Sequence, residues 1–95
     1  MNKVENLFIE KAIDVCGIIV YSKKETLDFI EACRNFEIGI LGIDAFFIAE
    51  KMTQPRMEDS INYSRYTKDK NIYYSALEFI SERDDNLFFE IVCDY

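Results

Sequence analysis

From Val4 to Cys16 the apolar residues Val4, Phe8, Ala12, Ile13 and Cys16 recur at helical spacing, and Asn6, Glu10 and Asp14 form the opposite stripe. The pattern predicts an amphipathic helix ending near Gly17, which is placed to cap it. Ile18-Ile19-Val20-Tyr21 then reads as either a buried connector or a short strand. A second helix opens at Ser22, with Glu25 three residues on at the capping-box spacing. Leu27, Ile30, Cys33 and Arg34 give its inward period, Phe29 and Phe36 sit at its margins, and Asp28, Glu31 and Asn35 face water.

After Glu37 the period changes. Ile38-Gly39-Ile40-Leu41-Gly42-Ile43-Asp44-Ala45-Phe46-Phe47-Ile48 is β-rich and too marked by glycine for a helix interior, so it predicts a central strand. Its nearly continuous apolar character calls for cover on much of both faces, or for a bulge near Gly42 that switches the facing of the residues after it. Glu50 to Asp59 reads as a polar turn holding Pro55, and Ser60 to Tyr66 as an antiparallel return strand with Ile61, Tyr63 and Arg65 on one face.

Helical spacing resumes between Asp69, a plausible N-cap, and Asp85. Ile72, Ala76, Phe79, Ile80 and Arg83 lie on one side, and Tyr74, Glu78, Ser81, Glu82 and Asp85 on the other. Asp84-Asp85-Asn86 makes a turn into a last alternating strand, Leu87 to Cys93. The order α-α-β-β-α-β predicts one α+β domain over residues 1–95, an antiparallel sheet packed against helices.

Composition sharpens this. The 95 residues are 49% hydrophobic and 31% charged, enough for a single core without metal or disulfide staples. Lys+Arg 11 against Asp+Glu 18 gives a formal charge of −7, which opposes nucleic acid and anionic lipid and makes a basic protein the natural partner. Cys16, Cys33 and Cys93 are isolated and odd in number, so they read as reduced thiols rather than a disulfide framework or zinc site. Met1 to Asn6 lacks the basic start of a secretion signal, and no apolar run reaches a membrane span, so cytoplasmic residence is expected.

The absence of histidine removes the Ser-His-Asp triad, the Cys-His pair and the imidazole metal site, so the sequence does not point to an enzyme, and no cofactor or metal is implied. The carboxylate pairs Glu58-Asp59 and Asp84-Asp85 read as solvated turn charges, and Gly39 to Gly42 lacks the lysine and following helix of a phosphate loop. The informative residues are acids and tyrosines. Glu50, Glu58 and Asp59 after the central strand, with Glu78, Glu82 and Asp85 on the outer helix stripe, form a candidate docking field for a cationic protein, or else a merely solvated surface. Tyr63, Tyr66, Tyr73 and Tyr74 lie near charges. They read as half-exposed rings, of which Tyr63, Tyr66 and Tyr74 are candidates for the same contact, or else as cover for the sheet.

Ile40-Leu41-Gly42-Ile43-Asp44-Ala45-Phe46-Phe47-Ile48 resembles the bacterial immunity protein family 40, in which two amphipathic helices precede an Ile-Leu-Gly-Gly-Asp-aliphatic-aromatic segment. The resemblance extends to Lys11-Ala12-Ile13, Ser60-Ile61-Asn62-Tyr63 and Ser75-Ala76-Leu77-Glu78-Phe79-Ile80, with Ile43 standing where that family often has a second glycine. It implies a cytoplasmic antidote that binds and occludes the catalytic domain of a toxin, a nuclease among the options, delivered by neighbouring bacteria. The alternative is a homo-oligomeric adaptor that pairs through an open sheet edge. The oligomeric state is left open by the sequence.

Overall fold

The computed structural model describes residues 2–49, 52–63 and 71–94. The first helix, α1 (Lys3–Leu7), is fixed by a reciprocal cap. The Asn2 side chain accepts from the Glu5 N–H at 2.8 Å, and the Glu5 carboxylate accepts from the Asn2 N–H at 2.9 Å. It stops after Leu7, short of the Val4–Cys16 helix that the spacing predicts. The chain instead forms a hairpin of β1 (Ile13–Val15) and β2 (Ile18–Ser22), closed by the pair Val15↔Ile18.

Cys16 and Gly17, between them, have φ of 53° and 88°, the paired positive values that a two-residue hairpin turn needs. Asp14 Oδ1 accepts from the Gly17 N–H at 2.8 Å and holds the turn. Gly17 therefore serves a hairpin and not a helix cap. The β-branched run Ile13, Val15, Ile18, Ile19 and Val20 gains more from cross-strand pairing than from the last turns of a helix. The strand option for Ile18–Tyr21 is the one realised.

Helix α2 (Lys23–Asn35) starts as the spacing predicts, with Ser22 Oγ accepting from the Glu25 N–H at 3.3 Å. It ends in an αL cap. Glu37, at φ 56°, takes the position usually given to glycine, while the Ile38 and Glu37 N–H groups bond the Cys33 and Arg34 carbonyls. Thr26, Phe29, Ile30 and Cys33 are its buried residues, so Phe29 is core and not margin, whereas Phe36 is exposed. Phe29 closes an aromatic cluster with Tyr21 and Phe8 at centroid distances of 5.1 and 5.3 Å.

β3 (Gly39–Ala49) pairs on both edges, with β4 (Met52–Asn62) and with β5 (Leu87–Asp94), and α3 (Ile72–Ser81) lies between the last two in sequence. All pairings are antiparallel, and the five strands run in the order β1-β2-β5-β3-β4. β2 and β3, joined by α2, are therefore parallel with β5 between them, and β4 and β5, joined through α3, are parallel with β3 between them. This is the α+β architecture with helices on an antiparallel sheet.

The expected polar turn from Glu50 to Asp59 is instead mostly strand, because β4 begins at Met52 and includes Pro55. The Ala45 N–H points toward β4, where it bonds Ser60 Oγ at 2.9 Å. The next N–H, that of Phe46, is turned toward β5, so Pro55 opposite Phe46 faces outward and costs the ladder no bond. The expected return strand ends at Asn62, and the positions 64–66 assigned to it lie outside the described residues, as does the proposed cap Asp69.

The bulge expected near Gly42 is present. Ile40 faces Cys93 and Gly42 faces Val92, leaving Leu41 extra, so Ile40 and Ile43, three apart, both point into the core. A second irregularity opposes Ile43–Ala45 to Ile61–Arg56, and Ser60 Oγ bridges it by also donating to the Arg56 carbonyl at 2.8 Å. All three described helices contribute to one core cluster, among them Val4, Ile30, Cys33, Ala76 and Ile80, with Ile40, Ile43, Phe89 and Ile91 from the sheet. Among the described residues no helix is long and apolar enough to cross a membrane.

Two outcomes follow from this packing. A Cβ at Gly42 would sit 3.1 Å from the Ile61 carbonyl oxygen, a backbone atom held by the sheet, so Gly42→Ala is expected to cost about 1–3 kcal/mol in urea unfolding. Cys16 is exposed, whereas Cys33 is buried and its thiol is pushed well up by its hydrogen bond with Cys93 and by burial. Ellman titration is therefore expected to find one reactive thiol in the native protein and three after denaturation.

Candidate binding surfaces

The acids and tyrosines singled out from the sequence occupy several different environments. Tyr63 is buried at 6% exposure, its hydroxyl 3.0 Å from Ser75 Oγ, and Tyr73 is buried with its hydroxyl donating to the Ile38 carbonyl. The expectation of half-exposed rings fails for both, because each joins the core while its hydroxyl finds an internal partner. Tyr74 is exposed on the outer side of α3, and its hydroxyl accepts from Arg34 at 3.0 Å. Tyr66 and Glu50 lie outside the described residues.

Glu58, Asp59 and Glu82 are brought together, as the docking field requires, but around arginines. Arg83 meets Asp59 at 3.3 Å and Glu82 at 3.8 Å, while Arg56 meets Glu58 at 2.9 Å and Asp59 at 3.6 Å. Arg83 also lies over the Phe79 ring at 4.2 Å, which fixes the guanidinium at the end of α3. Glu58 is held below the ordinary carboxylate value by a backbone hydrogen bond and by Arg56. Asp59, with 18% of its side chain exposed, is thus a bridge from β4 to the end of α3. Asp85 lies at the N-terminus of α2, 3.0 Å from Lys23, whose ammonium also donates to the Arg83 carbonyl. Glu78 stays exposed on the outer side of α3, as its stripe predicts. Two arginines against three carboxylates leave the Asp59 cluster with only a small net charge.

A different pair of acids has no cation beside it among the described residues. Leu87, Phe89, Ile91 and Cys93 face the core, so alternation turns Phe88, Glu90 and Val92 to the other face of the sheet. Register places Asp44 directly opposite Glu90, and Phe46 opposite Phe88, on that face. Neither Asp44 nor Glu90 forms an ion pair with any described residue. Burial, and then the Asp44 charge, raise the Glu90 carboxyl above its ordinary value. Beside the pair, a depression of about 210 Å³ is lined by Leu41, Gly42, Asp44, Ile61, Asn62 and Val92.

The sequence could have placed Glu90 outward from the alternation of its strand, but nothing local reveals that it meets Asp44. Among the described residues no group of three or more Cys, Asp or Glu is arranged to hold a metal ion. No protein-family profile, curated protein or solved structure matches the chain.

Because Glu90 holds its proton to higher pH in the fold than in the unfolded chain, its ionisation lowers stability as pH rises from the unfolded value through the raised one. Below the unfolded value, near the ordinary carboxylate range, that cost is absent. Glu90→Gln is expected to be the more stable protein at neutral pH, by about 0.2–1 kcal/mol on the scale of cross-strand pairs. Urea midpoints should converge as the pH is taken below about 4.

Proposed function

We propose that this chain is a binding module that neutralises a basic protein, an immunity protein that occludes the active surface of a bacterial toxin domain. The observation that carries the reading is its surplus of seven negative charges, 18 acids against 11 bases, on a domain of 95 residues with no histidine. Such a field draws a cationic partner into encounter and repels phosphate backbones and anionic lipid. A nuclease domain, whose substrate site must itself be basic, is a target of suitable charge. The mechanism is cover of that site, with no chemistry performed by the chain, and this is the role that the resemblance at Ile40–Ile48 implies.

A homo-oligomer formed through sheet edges is less well supported. β1 offers three residues at one edge, and at the other β4 turns Pro55 outward and carries a bulge, both of which weaken strand addition.

Co-expression with the C-terminal domain encoded by the adjacent gene tests the proposal. Survival of the cells and co-purification of a complex whose association slows with salt are the expected results. Reversing the exposed pair Glu78→Lys and Glu82→Lys should slow association at low salt by about tenfold while leaving the fold intact. Cells that die equally with and without this chain would end the reading.

A further inference from the structure

An antiparallel sheet with helices on one face usually turns polar side chains outward on the other. Here the outward positions run Ile13 on β1, Val20 on β2, Phe88 and Val92 on β5, and Phe46 and Ile48 on β3. Val20 and Phe46 are buried at 1% and 8% exposure although no described helix lies over them, while Ile13 and Val92 remain 42% and 41% exposed. An apolar band thus crosses four strands of the face. Set into it are Asp44 and Glu90, side by side across the β3–β5 ladder and with no ion pair to any described residue.

Each feature is unfavourable in the isolated protein. Like charges directly opposite one another repel, and exposed apolar side chains on a sheet keep water ordered against them. A partner that brings a guanidinium or ammonium group between the two carboxylates, surrounded by its own apolar side chains, relieves both at once. The neighbouring depression beside Gly42 has room for the stem of such a side chain. A second copy of this chain does not answer the same need, because stacking the face on itself brings carboxylate pairs of two −7 molecules together.

We propose that the face of the sheet turned away from the described helices is the surface that anchors the basic partner, with Asp44 and Glu90 clasping an arginine or lysine inside an apolar ring made by Phe46, Phe88 and Val92. This rests on the binding-module reading above. It separates the exposed acids that speed encounter, on and just after α3, from the face that holds the complex together.

The test uses the whole chain, labelled with nitrogen-15, and two probes. The first is a synthetic peptide of alternating arginine and leucine, and the second is the toxin domain from the adjacent gene. With the peptide, amide shifts are expected at 42–48 and 86–92. Shifts confined to the Glu58, Glu78 and Glu82 region, or no shifts, would overturn the assignment. With the toxin domain, Asp44→Lys is expected to weaken binding at least tenfold through faster dissociation, and Glu78→Lys to change mainly the association rate. Asp44→Asn with Glu90→Gln supplies a milder variant, and circular dichroism verifies its fold.

Equal dissociation rates for the parent and both face variants, with the parent binding tightly, would sink the anchoring face while leaving the toxin reading standing. A toxin domain that ignores the parent, alongside a peptide that still maps to the face, would sink the toxin reading and leave the face. Concentration-dependent dimerisation abolished by Val92→Glu would assign the face to a second copy and overturn the proposal.

Discussion

The sheet depends on its last strand. β5 lies between β2 and β3 and pairs with both, so until it arrives the β1–β2 hairpin and the β3–β4 hairpin share no ladder. Its inward residues Leu87, Phe89, Ile91 and Cys93 are also those on which the helices close, and Phe89 is wholly buried. Strict alternation along β5 is what allows one strand to serve two neighbours and two faces. The cost is kinetic, since the defining contacts join segments far apart in the chain and loop closure must precede them. The core on one side and the Asp44–Glu90 pair on the other are both products of this insertion.

Acidic residues of similar appearance do different work according to what the fold places beside them. Asp59 is an internal strut, held by Arg83 and Arg56 where the bulged β4 meets the end of α3. Asp85 pins the turn before β5 to the start of α2 through Lys23. Glu78 on the outer side of α3, and Glu82 at its C-cap with only a long contact to Arg83, contribute mainly to the long-range field, which salt attenuates over about 10 Å. Asp44 and Glu90 sit among apolar side chains and feel each other directly. Net charge says that the surface is acidic; the positions of the arginines and Lys23 decide which of those charges remain available.

Much of the architecture was legible where one period dominated. α2 was readable from Ser22, Glu25 and the inward Ile30 and Cys33, α3 from its two stripes, and β5 from its alternation. The bulge was readable from Gly42 within an apolar run that needed a change of facing. The N-terminal segment misled because Val4 and Phe8 fit a helix while Ile13, Val15 and Ile18 to Val20 fit a hairpin, and tertiary pairing decided for the latter after Leu7. Pro55 misled because a proline excludes an interior strand but not an outward position on an edge. As for the site, the exposure of Glu78 and Tyr74 could be read from helix phase, whereas the arginine partners of Asp59 and the opposition of Asp44 to Glu90 depend on register between distant segments.

The outward turn of Pro55 has a consequence for how the chain behaves when crowded. β4 is the longest exposed border of the sheet, and a strand from another molecule could extend it only through a continuous row of backbone donors and acceptors. The pyrrolidine ring removes one donor from that row, and the bulge bridged by Ser60 bends the remainder out of line. A chain that is nearly half hydrophobic is thereby protected at this border against templated growth into fibrils. The same residue that hides the strand from a reader of the sequence hides it from other copies of the molecule.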